Sequence, residues 1–174
     1  MLVSAFAKIN LSLEVVGKYD IGYHKIKTIL QTVGIRDIIE IHRSSRLRVE
    51  SNIPSIAGSN NLVWKAAHKL ADRAGIQPQA RIFINKQIPV GMGLGGGSSD
   101  AAATLIALNN FWALHLEPIE LTEIAKELGS DVPFFLQGGT ALGEGRGELI
   151  TQLPDLPPLE LLLICPNQTI HNKT

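Results

Sequence analysis

The stretch from Pro89 to Asp100 reads PVGMGLGGGSSD and packs five glycines into the seven residues Gly91 to Gly97. Glycine tolerates positive φ and has no Cβ to hold a ligand away, so such a run turns sharply and approaches a bound group closely. Before it, Ala80, Ile82 and Ile84 alternate as a strand leading to Pro89; after it, Ala101 to Leu114 is alanine- and leucine-rich at helical spacing. The loop therefore joins a strand to a helix. The first N–H groups of that helix have no internal partners and its dipole favours an anion, which makes a phosphate site the natural use of the segment. A plain flexible connector needs neither this glycine density nor the Ser98-Ser99 pair that follows, whose hydroxyls can donate.

Two familiar phosphate loops fit less well. Gly91, Gly93 and Gly96 satisfy G-x-G-x-x-G, but the acidic residue expected about 20 positions on at a strand end is met only by Glu117, in a proline-interrupted turn. The Gly-Lys-Ser or Gly-Lys-Thr ending of a P-loop is missing. Charge on the phosphates must then be met by backbone N–H groups, hydroxyls, a metal ion or a distant cation. Ser98 and Ser99 are also good helix-start residues, and Asp100 reads either as a magnesium ligand or, preferably, as a first-turn carboxylate answering the dipole.

Working outward, Ile9, Leu11, Leu13 and Val15 alternate with Asn10, Ser12 and Glu14, the period of a half-buried strand whose polar face carries Asn10 away from the core. Gly17 to Gly22 turns the chain. Ile29 to Ile41 predicts one or two further strands around Gly34 and Asp37, and Arg46 to Glu50 another with Leu47 and Val49 inward. Asn60 or Asn61 caps a helix in which Leu62, Val63, Ala66, Ala67, Leu70, Ala71 and Ala74 recur at helical spacing until Gly75 stops it. Glu120 to Leu128 predicts a short helix ended by Gly129, Asp131 to Leu136 a second, Thr140 to Ile150 a glycine-bearing hairpin, and Leu159 to Cys165 an apolar strand. Antiparallel-looking strands first and separate helices later argue for an α+β fold in a single domain.

The composition bounds the function. Sixteen basic and 16 acidic side chains cancel, so no strong field recruits nucleic acid or an anionic membrane surface. At 45% hydrophobic and 18% charged residues the chain should bury a core. The lone Cys165 forms no internal disulfide, which fits a reducing cytoplasm. The apolar run Leu161 to Cys165 is far short of the ~20 residues that cross a bilayer. Met1 to Val16 is too interrupted by polar residues for a secretory leader. His24, His42, His68, His115 and His171 are scattered and form no zinc spacing.

With these residues in view, the sequence resembles the GHMP small-molecule kinases, whose second motif is a glycine- and serine-rich loop closing over ATP phosphates. The resemblance rests on Ala7-Lys8-Ile9-Asn10-Leu11, Gly22-Tyr23-His24, GLGGGSSDAA from Gly93, LGSDVPFFL from Leu128 and GEGRGE from Gly143, in the family's order between residues 7 and 148. It is sharpest to the branch that phosphorylates a hydroxyl of a cytidine-diphosphate-linked methylerythritol in the non-mevalonate route to isoprenoid precursors. The resemblance implies the α+β fold of the GHMP kinase N-terminal domain, like the second domain of ribosomal protein S5, with ATP and Mg2+ as cofactors and a small-molecule substrate. It also implies a C-terminal domain that does not follow Thr174 here, so a truncated chain is expected.

Carried over residue by residue, Asp131 corresponds to the proposed general base and Lys8 to its charged partner. Asn61, Leu62, Pro89, Gly91, Gly93, Leu94, Gly95, Gly96, Gly97, Ser98 and Ser99 correspond to the nucleotide site. Asn10, Tyr23, His24 and Asp131 correspond to the substrate site, Tyr23 offering an aromatic face to the base and His24 its ring nitrogens. No protein ligand to magnesium is evident. Asp131 reads equally well as a helix-start residue ahead of Pro133, Asn61 as a cap, and Lys8 as a solvated strand residue. Two rival expectations remain: a GHMP kinase for mevalonate, homoserine or a sugar, and a non-catalytic remnant that binds nucleotide or a partner protein.

Overall fold

The computed structural model describes residues 1–19 and 22–166. Asp20 and Ile21 of the expected turn, and residues 167–174 with His171, lie outside the described residues. Among the described residues six strands, β1 (Leu2–Lys18), β2 (His24–His42), β3 (Arg48–Ser51), β4 (Arg81–Asn85), β5 (Thr140–Gly145) and β6 (Leu149–Gln152), form one sheet. Among the described residues four α-helices accompany it: α1 (Leu62–Ala74), α2 (Gly96–Phe111), α3 (Pro118–Leu128) and the single turn α4 (Val132–Phe135).

The long β2 organises everything. It pairs antiparallel with β1 along one side, and on its other side with β4 through Ile38–His42 and with β5 through Ile26–Gln31. β3 joins β4 in parallel and β6 closes the β5 hairpin. Between its two halves β2 carries a bulge: Phe6 faces Arg36 but Ala7 already faces Val33. Thr28 and Leu30 below the bulge and Asp37, Ile39 and Ile41 above it are all buried. The Ile29–Ile41 segment is thus one bent strand.

The core lies between the sheet and the helices, where Ile39, Ile41, Ile82 and Ile84 meet Val63, Ala66 and Leu70 of α1 and Ala101, Leu105 and Leu108 of α2. Alanines on both helices let them approach closely, and burying each such Ile or Leu contributes about 1.5–3 kcal/mol. The Asn61 side chain accepts from Val63 N–H and Gly75 takes a left-handed conformation at the other end, so α1 starts and stops where expected.

Three expectations are corrected. The α2 helix begins at Gly96 rather than Ala101, because the last glycines of the loop form its first turn after a left-handed Gly95. In β1, Leu11, Leu13 and Val15 are 45%, 55% and 60% exposed, since no described layer covers that end of the sheet. Leu159 to Cys165 forms no strand: it pairs with none of the described strands, and Leu159, Leu161, Leu162 and Ile164 are exposed.

Candidate active site

The glycine loop lines a cleft of about 730 Å³. Its floor is the run from Pro89 to Ser98, one wall is the start of α1 with Asn61 and Leu62, and Lys8 and Asp131 stand at the cleft as well. All the residues expected to hold nucleotide line it except Ser99. Ser99 is buried, donates its hydroxyl to Phe6 O at 2.6 Å, and its N–H goes to Gly95 O. Its hydroxyl ties α2 to β1, away from the cleft lining. Reading along the sequence missed Ser55, Ile56, Ala57 and Asn60, which complete the α1 wall. Pro54, at the start of the short 3-10 turn that holds Ser55 and Ile56, was the available signal.

Lys8 and Asp131, 123 positions apart in sequence, meet with Nζ to Oδ2 at 3.7 Å. The Lys8 side chain is only 8% exposed and that of Asp131 38%, so Lys8 is no solvated strand residue. Lys8 N–H donates to Leu94 O at 3.0 Å, which stitches β1 to the middle of the loop. Asp131 occupies the cap position of α4, yet its side chain makes no capping hydrogen bond. Its carboxylate faces Lys8 instead.

Gly95 is where the three parts converge. At its φ of +70° a Cβ would sit 2.6 Å from Cζ of Phe135, on α4, and 3.1 Å from Cγ of Lys8. Only a bare backbone lets loop, β1 and α4 close this far.

A polar line leads away from the pair. Lys8 Nζ donates to Asn10 Oδ1 at 2.6 Å, Asn10 Nδ2 to Thr28 Oγ1 at 2.6 Å, and Thr28 Oγ1 to Ser12 O at 2.6 Å. Asn10 thus joins the pair directly. Tyr23 and His24 do not line the glycine cleft; they are exposed at the far end of the β1–β2 pairing, where the guanidinium of Arg146 lies 5.4 Å from the centre of the Tyr23 ring. Among the described residues no three His, Cys, Asp or Glu side chains cluster as a metal site.

Asp100 is neither a surface dipole partner nor an open ligand. It is buried, its Oδ2 accepts from Lys86 Nζ at 2.8 Å, and burial foremost pushes its carboxyl up to about 7, against the opposing pull of Lys86 and with the like charge of Asp37 adding to the rise.

Residues 61–139, which include the glycine loop, the start of α1 and Asp131, match the GHMP kinases N terminal domain. The chain carries that domain. It is similar to the 4-diphosphocytidyl-2-C-methyl-D-erythritol kinase of Moorella thermoacetica, 46% identical over 96% of this chain and 59% of the relative. The namesake kinase of Caldanaerobacter subterraneus subsp. tengcongensis is 42% identical over 98% of this chain and 60% of its own length. This chain therefore spans about 60% of the length of these relatives. A crystal structure of 4-(cytidine 5'-diphospho)-2C-methyl-D-erythritol kinase superposes with a TM-score of 0.77 at 38% identity, covering 88% of this chain and 55% of that one. The mevalonate kinase of Methanococcus jannaschii, at 17% identity and a TM-score of 0.65 over 88% of this chain and 55% of that one, shares the fold. No described helix is long and apolar enough to cross a membrane.

Proposed function

We propose that this chain supplies the nucleotide site and the reacting pair of an ATP-dependent kinase acting in the cytoplasm on the 2-hydroxyl of 4-diphosphocytidyl-2-C-methyl-D-erythritol. The observation that carries the reading is the Lys8–Asp131 pair at 3.7 Å, set at the end of a glycine-lined cleft. Asn61 and Leu62 at the α1 wall would take the adenine side, and the N–H groups at the start of α2 with the Ser98 hydroxyl the phosphates.

The reaction forms a bond between the substrate oxygen and the γ-phosphorus and breaks the bond from that phosphorus to the β-bridging oxygen, with ADP leaving. Asp131 accepts the hydroxyl proton as the new bond forms, and Lys8 offsets the charge spread over the transferring group. Asn10, hydrogen-bonded to Lys8, orients the ammonium and offers an amide to the substrate. Tyr23 and His24 stand further along the same pair of strands, where a long substrate ending in a cytosine base would reach. Magnesium fits this donor set, since it takes most of its ligands from phosphate oxygens and water and needs few from protein. Ser98 is the cleft hydroxyl that would hold it, and when bound it offsets charge on the phosphates.

The test is ADP release by this chain with four alcohols in turn: the diphosphocytidyl substrate, mevalonate, homoserine and a hexose. Release with the diphosphocytidyl substrate alone supports the proposal; release only with another alcohol, or ATP binding without any turnover, overturns it.

A further inference from the structure

Against the glycine loop, with Lys86 and Asp100 at the lining of the same cleft, lies a charged cluster that the chemistry above does not use. Asp37 comes from β2 just past the bulge, Lys86 from the residue after β4 and Asp100 from the second turn of α2, with side chains 0%, 4% and 2% exposed. The Lys86 ammonium donates to both carboxylates, to Asp100 Oδ2 at 2.8 Å. Asp37 Oδ1 also accepts the N–H groups of Gln87 and Ile88, at 2.5 and 2.8 Å. Burying three ionic groups costs several kcal/mol each before their mutual attraction is counted, and apolar replacements often do as well for stability. The placement of the cluster explains it better than its energy does.

The loop leaves the sheet at Ile88 and enters α2 by Asp100, so Asp37 grips one end and Lys86 the other. The same ammonium lies directly under the turn between them. A Cβ on Gly96 would come within 3.0 Å of Lys86 Nζ and 3.1 Å of an Ile88 methyl carbon. With two carboxylates around it, Lys86 carries no surplus positive charge towards a phosphate. Its effect is on where the backbone sits.

We infer that Lys86, held between Asp37 and Asp100, is a positioning residue that fixes the Gly95–Gly96 turn so that the N–H groups at the start of α2 face the polyphosphate of a bound nucleotide. This rests on the nucleotide reading given above. It also assigns the cluster a role distinct from folding, because the ribose and adenine would contact the α1 wall and not the turn.

The experiment compares ATP and adenosine binding to the wild-type chain, Lys86→Met and Lys86→Arg by titration followed in 1H–15N NMR spectra, with thermal unfolding in parallel. Lys86→Met should lose at least about tenfold in ATP affinity, a 1.4 kcal/mol effect, while adenosine affinity stays within about twofold. Lys86→Arg keeps the charge and re-pairs both carboxylates, so its unfolding midpoint should return towards wild type. Its wider planar head does not fit under Gly96, so its ATP affinity should stay low. That split separates positioning from mere stability. If Lys86→Met does not fold, Lys86→Arg decides alone. Folded Lys86→Arg with wild-type ATP affinity, or variants that lose ATP and adenosine equally, overturns the inference. Failure of the wild-type chain to bind ATP at all is a different result and defeats the nucleotide reading together with it.

Discussion

Substituting Gly95 by alanine concentrates several physical costs at one atom. The residue sits at φ +70°, where an L side chain costs roughly 1–2 kcal/mol. The new methyl would lie 2.6 and 2.9 Å from two ring carbons of Phe135 and 3.1 Å from Cγ of Lys8, and forcing such an overlap into a packed interior costs about 1–3 kcal/mol. The sum, roughly 2–5 kcal/mol, is a large share of the ~5–15 kcal/mol that a domain has. At about 2–4 °C per kcal/mol for a chain of this size, the unfolding midpoint should fall by some 4–20 °C. Relief of the clash would move Phe135 and Lys8 apart, so the surviving folded protein should also bind ATP poorly. Gly97→Ala is the control: its Cβ would meet only Leu62 Cδ1 at 3.9 Å, its backbone is helical, and the change should be neutral or stabilising by about 0.5–1 kcal/mol. Calorimetry and ATP titration of both variants check this. Equal midpoints for Gly95→Ala and Gly97→Ala would refute the claim that loop, β1 and α4 converge on Gly95.

Asp131→Asn and Lys8→Ala should each lower turnover by about 10²–10⁴, and because Asp131 is 38% exposed its variant should unfold near the wild-type midpoint; steady-state rates and melting curves of the two report this. Asp100 makes stability pH-dependent: with its folded carboxyl raised from 3.8 to about 7, the folded state holds a proton that the unfolded state has already released between those values. Wild type should therefore lose stability relative to Asp100→Asn as pH rises from about 4 to about 7 and then level off, as denaturant midpoints across that range would show. Ser99→Ala should cost about 0.5–1.5 kcal/mol by stripping Phe6 O of its donor and leave ATP affinity unchanged, whereas Ser98→Ala should weaken ATP binding with little effect on stability; paired melts and titrations distinguish them.

Local signals carried much of this structure in the sequence. Asn61 and Gly75 bracket α1 because a cap and a left-handed stop act within a few residues, and the glycine density from Gly91 to Gly97 announced a close backbone approach. The meeting of Lys8 with Asp131 came from a family likeness and not from spacing, since only the β1 register and the Phe135–Gly95 contact bring them together. The cluster of Asp37, Lys86 and Asp100 was illegible for the same reason, its members being 49 and 14 residues apart in sequence. The one hint was Asp37 standing in the alternating positions otherwise held by Ile35, Ile39 and Ile41. The apolar faces at Leu11 to Val15 and Leu159 to Ile164 misled the reading because alternation tells which residues share a face, not what covers it.

A crystal structure of the chain with a non-hydrolysable ATP analogue tests the account most directly. The account predicts β- and γ-phosphates on the N–H groups between Gly93 and Ser98, with the terminal phosphate at the end of the cleft where Lys8 and Asp131 meet. An analogue bound with its terminal phosphate away from that pair, or outside the glycine-lined cleft altogether, would contradict it.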